Sequence, residues 1–394
     1  MINLHEPTFD EEDERLVLEA IRSTWVSTGG PFVDQFEKEF AEFVGVKHAI
    51  SVCNGTLGLQ LAIECLKRKL NVCEDFEILL PSLTFIATAN SIAHAGGFPV
   101  FVDVEENSFQ ISPYSLKKIL FENYEYSSNE KIWKNKTTNR KLLAFMPVHI
   151  MGWVAPMKEL VALSVEFGIS IIEDAAEALG VYDLSGSHIG KDGIASVFSF
   201  NGNKILTSGG GGMIVTDNDE FAAHLKHLST TAKTDSLRFV HDEVGYNYRL
   251  VNILAALGFS QLKKLPGKLK RKKEIFDQYS RFLNNKDLNV YIQNNCVSNH
   301  WLVNVIFLNS EMRESALNLL IKNNIQARPL WTPCHLQPAY SKYKNNKYSV
   351  INTESIWKKT LSLPSSPQLT NSQIESISSI IVSSFDSVLN AVNK

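Results

Sequence analysis

Residues 196–216 read S-V-F-S-F-N-G-N-K-I-L-T-S-G-G-G-G-M-I-V-T. Two short apolar runs, Val197 to Phe200 and Met213 to Thr216, predict buried strands. Between them lie Lys204 and four consecutive glycines, Gly209 to Gly212. Upstream, Ile169, Ile171 and Ile172 lead into the acidic cluster Glu173-Asp174-Ala175-Ala176-Glu177. A carboxylate at a strand end, followed about thirty residues later by a loop lysine, suits pyridoxal phosphate chemistry. Such chemistry needs one amine to carry the cofactor's aldehyde and one anion to keep its ring nitrogen protonated.

Working outward, the chain alternates strands and helices. Asp10 is placed to cap a helix whose first turn is acidic (Glu11, Glu12, Asp13), favourable at the positive end of the helix dipole. After the turn-rich W-V-S-T-G-G-P, Phe32, Phe36, Phe40 and Phe43 recur at helical spacing, a stripe that reads as core. Ala49 to Cys53 reads as a strand, Asn54-Gly55-Thr56 as a turn, and Leu57 to about Arg68 as a helix. A strand, a small polar turn and a helix start form a ready anion site, although any such turn can carry these residues.

Further strands are predicted at Glu77 to Pro81, Pro99 to Val104, Leu142 to Val148 and Ile169 to Asp174. Phe85 follows the first of these, placed either to cover a planar ligand or to pack on the core. His149 follows the third, as a site residue or a structural one. Thr56, Phe85, His149 and Asp174 all fall at C-terminal strand ends, which share one edge of a parallel sheet, where ligands bind. Polar residues 122–141 interrupt this rhythm and read as a surface excursion.

Beyond Thr216 the pattern predicts a helix from Phe221 to Leu228 and a polar linker. A helix from Asn252 to Leu265 follows, and a further one begins in the basic run Lys268 to Lys273. His224 and His227, three apart on one helix, lack a third ligand and read as a solvated face. Shorter strands and helices then predict a smaller C-terminal α+β domain, closed by a helix bearing Ile374, Ile377, Ile381 and Phe385. The expected division is residues 1–250 and 251–394.

The bulk properties narrow the class. The chain has 394 residues, 44% of them hydrophobic and 21% charged, with a net charge of −3. This charge leaves no footprint for nucleic acid or an anionic membrane surface. Five cysteines without a C-x-x-C pair favour reduced thiols in the cytoplasm, with no disulfide framework and no metal site. The start, M-I-N-L-H-E-P, lacks the basic and apolar regions of a secretory signal, and no apolar run is long enough to span a membrane.

Together the blocks N-G-T (54–56), T-F-I-A-T-A-N (84–90), P-V-H-I-M-G (147–152), E-D-A-A-E-A-L-G (173–180), F-S-F-N-G-N-K (198–204), G-Y-N-Y-R-L (245–250) and R-P-L-W (328–331) carry a resemblance. In this order they resemble the DegT/DnrJ/StrS aminotransferases, over nearly the whole chain. The resemblance implies the aspartate-aminotransferase (type I) fold, with a large, mostly parallel seven-stranded sheet domain and a smaller C-terminal domain. It implies pyridoxal 5'-phosphate as cofactor, a nucleotide-sugar substrate, L-glutamate as donor and a homodimer with shared sites. N-G-N-K-I, H-D-E-V-G-Y-N-Y-R and the polar excursion are similar to the legionaminic-acid/bacillosamine branch. That branch aminates C4 of a nucleotide-linked 4-keto-6-deoxy-N-acetylhexosamine.

By the same resemblance, Lys204 carries the cofactor and Asp174 faces its ring nitrogen. Phe85 stacks on the ring; Gly55, Thr56 and Ser199 hold the phosphate; Asn247 reaches that phosphate from the neighbouring subunit. Glu177, where many members have Gln, lies beside the ring. Ser27, Thr28, His149, Arg328 and His335 are the candidates for substrate contact. Members with His in place of the lysine are dehydratases, a chemistry that Lys204 argues against.

Two rival classes deserve comparison. A nicotinamide dehydrogenase would need G-x-G-x-x-G opening a helix, whereas Ile214 stands at the third glycine position and the run precedes a strand. A non-catalytic cofactor-binding regulator would need a nucleic-acid module, and no basic helix-turn-helix pattern is present.

Overall fold

The computed structural model describes residues 1–284, 288–343 and 348–392, without the side chains of 342 and 385–392. Phe385, expected on the closing helix, therefore has its side chain outside the described residues. Among the described residues, no helix is long and apolar enough to cross a membrane.

Seven strands build the central sheet: β1 (His48–Val52), β2 (Phe76–Pro81), β3 (Phe98–Val102), β4 (Lys141–Phe145), β5 (Ser170–Asp174), β6 (Ala195–Ser199) and β7 (Gly212–Thr216). Their order is β1-β7-β6-β5-β4-β2-β3. All run parallel except β7, which is antiparallel to both β1 and β6. Strands β2 and β7 are buried along their whole length and the others nearly so, the pattern of a sheet covered on both faces. The helix Gly55–Lys69 lies against it closely: a Cβ at Gly58 would come within 2.8 Å of Val197 Cγ1.

A second, antiparallel sheet contains β8 (Leu288–Val290), β9 (Val303–Phe307), β10 (Arg328–Pro329) and β11 (Thr360–Leu363), in the order β8-β9-β11-β10. The chain start joins this region: Gln326 N donates to Ile2 O at 2.8 Å, and Ser365 N to Leu4 O at 2.8 Å.

One expectation is refined and one corrected. Residues 122–141, expected as a surface excursion, carry a hairpin, Tyr124–Ser127 with Ile132–Asn135, joined to β4. The cause is Glu77, buried on β2. Its carboxylate accepts from Tyr124 Oη (2.6 Å), Asn135 Nδ2 (3.0 Å) and Thr138 Oγ1 (3.0 Å), all from this segment. The two expected helices after residue 251 are one, Asn252–Leu283, with Pro266 inside it. Proline costs a helix interior about 3 kcal/mol. Contacts along both halves offset that cost: Phe259 and Leu262 pack in the main core, while Arg271 Nε donates to Pro367 O at 3.2 Å.

The polar linker after residue 229 is also anchored. Cys53 N donates to Tyr248 O at 2.8 Å and Thr231 N to Tyr246 O at 2.9 Å, so 245–250 lies alongside the end of β1.

Buried His188 ties the loop after β5 to the core. Its Nε2 accepts from Gly180 N at 2.8 Å while Nδ1 donates to Ile189 O at 2.6 Å, an arrangement open only to the neutral ring. Burial pushes its pKa down to about 4. Once unfolded it takes a proton at the ordinary histidine value of about 6.5, so the unfolded state binds more protons below that pH. We expect the His188 contribution to reduce stability from about pH 6.5 downward, by about 2 kcal/mol at pH 5, and to level off below pH 4. Urea midpoints at pH 7 and pH 5 check this, with His188→Asn flattening part of the difference.

Candidate active site

The loop from Phe200 to Gly211 leaves β6 and returns to β7. Phe200 N donates to Gly211 O at 2.9 Å and Ser208 N to Phe200 O at 3.1 Å, closing the loop at its neck. Gly211 has φ +115°, where L side chains are strained, and a Cβ at Gly212 would lie 2.8 Å from Phe198 O. These glycines thus serve the neck, and Lys204 projects from the loop they close.

Lys204 reaches a cavity of about 320 Å³ at the carboxyl ends of β1, β5 and β6. Gly55, Thr56, Phe85, Asp174, Glu177, Ser199 and Lys204 all line it, so seven sequence candidates converge there. The Asn54 side chain caps the helix at one wall by accepting from Leu57 N at 2.9 Å. The first N–H groups of a helix have no partner within it and suit an anion. A Cβ at Gly55 would lie 3.1 Å from Ser199 Cβ, so a side chain there would crowd the wall. Phe85, 50% exposed, presents its ring beside Trp331, with centroids 5.9 Å apart.

Asp174 is buried. Its Oδ2 accepts from Thr88 Oγ1 at 2.7 Å and its Oδ1 from Ala176 N at 3.1 Å. Burial raises its carboxyl above the ordinary range; these two bonds and the Lys204 charge oppose the rise without cancelling it. Glu177 is raised likewise by burial, against the pull of Lys204. Its Oε1 lies 3.3 Å from Lys204 Nζ, and its Oε2 accepts from Met151 N at 2.8 Å.

The other candidates lie outside this wall. His149 is fully buried; Nδ1 accepts from Ala155 N at 3.2 Å, leaving Nε2 to donate to Glu173 Oε2 at 2.9 Å. It braces the strand ends and has no nitrogen free for substrate, a correction to its candidacy. His335 contacts Ser82 Oγ at 2.6 Å and borders a neighbouring cavity. Ser27, Arg328 and Asn247 are exposed and Thr28 is half-buried. His224 and His227 each meet a carboxylate, Glu243 at 3.2 Å and Asp242 at 2.8 Å. His227, Asp242 and Glu243 also group their ligand atoms within 4.8 Å, which the helix spacing alone did not reveal.

Among the lining residues that sequence reasoning did not single out are Thr88, Trp301 and Trp331. Thr88 lies one helical turn after Thr84 in the T-F-I-A-T block, a spacing that could have flagged it. Trp301 lies just before β9 of the C-terminal sheet, and nothing local ties it to Lys204.

A buried carboxylate, a lysine amine and a helix start around one cavity fit a phosphorylated, cationic-ring aldehyde cofactor. Comparison with known proteins agrees. The chain is 34% identical over 392 residues to EpsN of Bacillus subtilis, whose name assigns it to the pyridoxal phosphate-dependent aminotransferases (98% of this chain, 96% of that protein). It is 33% identical to the GDP-perosamine synthase of Vibrio cholerae, covering 98% of this chain and 100% of that protein. Its structure superposes on Helicobacter pylori PseC, an aminotransferase involved in the biosynthesis of pseudoaminic acid, with TM-score 0.88 and 25% identity, covering 98% and 99% of the two chains. The sequence pattern of the DegT/DnrJ/EryC1/StrS aminotransferase family matches residues 7–382, and with its lysine, carboxylate and helix start around one cavity the chain belongs to that family of pyridoxal phosphate-dependent transaminases.

Proposed function

We propose a C4 amination for this sugar-nucleotide aminotransferase. Glutamate gives its amino group to the C4 ketone of a UDP-linked 4-keto-6-deoxy-N-acetylhexosamine, in the making of a bacterial surface-glycan sugar. The observation that carries the transaminase reading is the convergence of Lys204, Asp174 and the Gly55–Thr56 helix start on one cavity. The relatives named GDP-perosamine synthases support a second reading, a GDP-linked keto sugar as the acceptor.

When bound, pyridoxal phosphate supplies an electron sink for the bond that breaks at the amino acid's Cα. In this reading Asp174 holds the proton on the ring nitrogen, and Thr88 and Ala176 hold Asp174. The N–H groups at Gly55 and Thr56, with the Ser199 hydroxyl, bind the phosphate. Phe85 covers the ring face and excludes water. Lys204 Nζ takes the proton from glutamate Cα and returns a proton to the sugar's C4 in the second half of the cycle. Such a positioned base contributes about 10²–10⁴-fold.

A homodimer belongs to the proposal. Asn247 is exposed and outside its own cavity; Leu237 and Phe239, earlier in the same stretch of chain, are 81% and 69% exposed. That apolar surface suits a second copy, whose phosphate site Asn247 then reaches. Ser27, Thr28 and Arg328 are retained as contacts for the nucleotide part, beyond the cavity wall.

Borohydride reduction of the holoenzyme is expected to label Lys204; a label on another side chain, or none, sinks the assignment. Lys204→Ala should bind cofactor noncovalently and lose turnover. Thr88→Val should weaken cofactor binding about tenfold or more, as expected for losing a hydrogen bond to a buried charged group; cofactor fluorescence in a dilution series measures it. A panel of UDP- and GDP-linked 4-keto-6-deoxy sugars with glutamate separates the two substrates, the UDP-linked N-acetyl sugar being expected to turn over fastest.

A further inference from the structure

The C-terminal region contributes Trp301 and Trp331 to the cavity wall. Lys204 Nζ lies 4.2 Å from the centroid of the Trp301 ring and 3.3 Å from Glu177 Oε1. The lysine side chain is only 12% exposed, so both contacts act with little water between them. An ammonium over an indole face, with a carboxylate beside it, is a favourable and weakly screened arrangement.

Both walls are themselves held. Trp301 Nε1 donates to Asn203 O at 2.7 Å, the carbonyl just before Lys204. Trp301 N donates to Asn299 Oδ1 at 2.9 Å, and Trp301 O accepts from the buried Lys272 Nζ at 2.6 Å. Asn299 Nδ2 reaches the Glu177 and Leu179 carbonyls, at 2.8 and 2.9 Å. On the far side, Met151 turns its N–H toward Glu177 Oε2 from a left-handed conformation, φ 58° and ψ 26°, disfavoured for a residue with a Cβ. Gly152 follows at φ +77°, where a Cβ would lie 1.9 Å from Asn299 Oδ1. Three separate segments thus converge to set two surfaces around one amine.

We propose that Trp301 is a positioning residue for Lys204: its ring face and the Glu177 carboxylate form a cradle that holds the lysine's protonated amine whenever that amine is free of the cofactor. The inference rests on Lys204 being the cofactor lysine. Its consequence is that the released amine stays beside the reacting carbon in one orientation, ready to move the next proton.

Trp301 has two separable parts, its ring face and its indole N–H. Trp301→Phe keeps a weaker face and loses the N–H bond to Asn203; Trp301→Leu loses both. The readout is acylation of Lys204 by limiting acetic anhydride at fixed pH, followed by mass spectrometry, in enzyme loaded with pyridoxamine phosphate. There the lysine amine is free. The acylation rate is expected to rise about two- to threefold in Trp301→Phe and about tenfold in Trp301→Leu, following the loss of the aromatic face. In parallel kcat should fall while KM for the sugar stays within about twofold, as when positioning is lost and binding is not. Equal rates in all three proteins would overturn the cradle outright, and Phe behaving like Leu would overturn it in favour of the N–H bond alone.

Should Trp301→Leu not fold, fluorinated tryptophans placed at 301 keep both shape and N–H while drawing electron density from the ring. Acylation should then climb with each added fluorine, and a flat series overturns the proposal. A wild-type enzyme that fails to show the borohydride label on Lys204 sinks the functional reading instead. A normal label with a flat series removes the cradle alone.

Discussion

The closure of one loop governs this structure. Ser199 on β6 pairs with Gly212 on β7, and the Phe200 N–H meets the Gly211 carbonyl at 2.9 Å, so residues 200–211 must leave and re-enter the sheet at a single point. That point lies where β1 and β5 also end, because Val52 pairs with Gly212 and Asp174 with Val197. An antiparallel β7 is what permits this. Were it parallel to β6, the return would need a long crossover, and the short lysine loop would not exist. The position of Lys204 beside the Asp174 end of the sheet thus follows from backbone pairing before any side chain contributes.

Around that frame, three buried carboxylates a few residues apart are given different characters by their donors. Glu173 and Asp174 are neighbours on one strand and point to opposite faces of the sheet. Burial pushes Glu173 upward, but His149, Gly193 and Ser196 outweigh it and hold the group below the ordinary range. Asp174 has fewer donors, from Thr88 and Ala176, and burial prevails. A saturated carboxylate is a structural anchor. One left short of donors attracts a cationic partner, which is what a protonated ring nitrogen offers. Glu177 stands between these cases, sharing its oxygens between the Met151 N–H and the Lys204 amine.

The site was unevenly legible. Lys204 and Asp174 could be read because Asp174 ends a short apolar run, Lys204 lies in the loop between two others, and strand ends on one edge of a parallel sheet meet. Gly55 and Thr56 were legible as a strand–turn–helix junction. Position could not separate the roles of Phe85 and His149, since both follow strands. The structure leaves the Phe85 ring half exposed in the cavity and closes both His149 nitrogens inside the fold. Thr88 was hidden because its importance comes from Asp174, far along the chain. The hairpin at 122–141 was hidden for the same reason, its polar residues being drawn together by one buried glutamate on β2.

By itself, the sequence determined the alternating strands and helices, the edge on which the site would form and the two residue types able to carry the chemistry. These follow from local periodicity and chain direction, which need no knowledge of distant partners. Only the tertiary structure decided that Asn252–Leu283 runs through Pro266 as one helix, and that Trp301 and Trp331 face the lysine cavity. The reason is physical: the energy that overrides a proline, or turns an indole toward an amine almost a hundred residues away, comes from long-range packing that no local window contains.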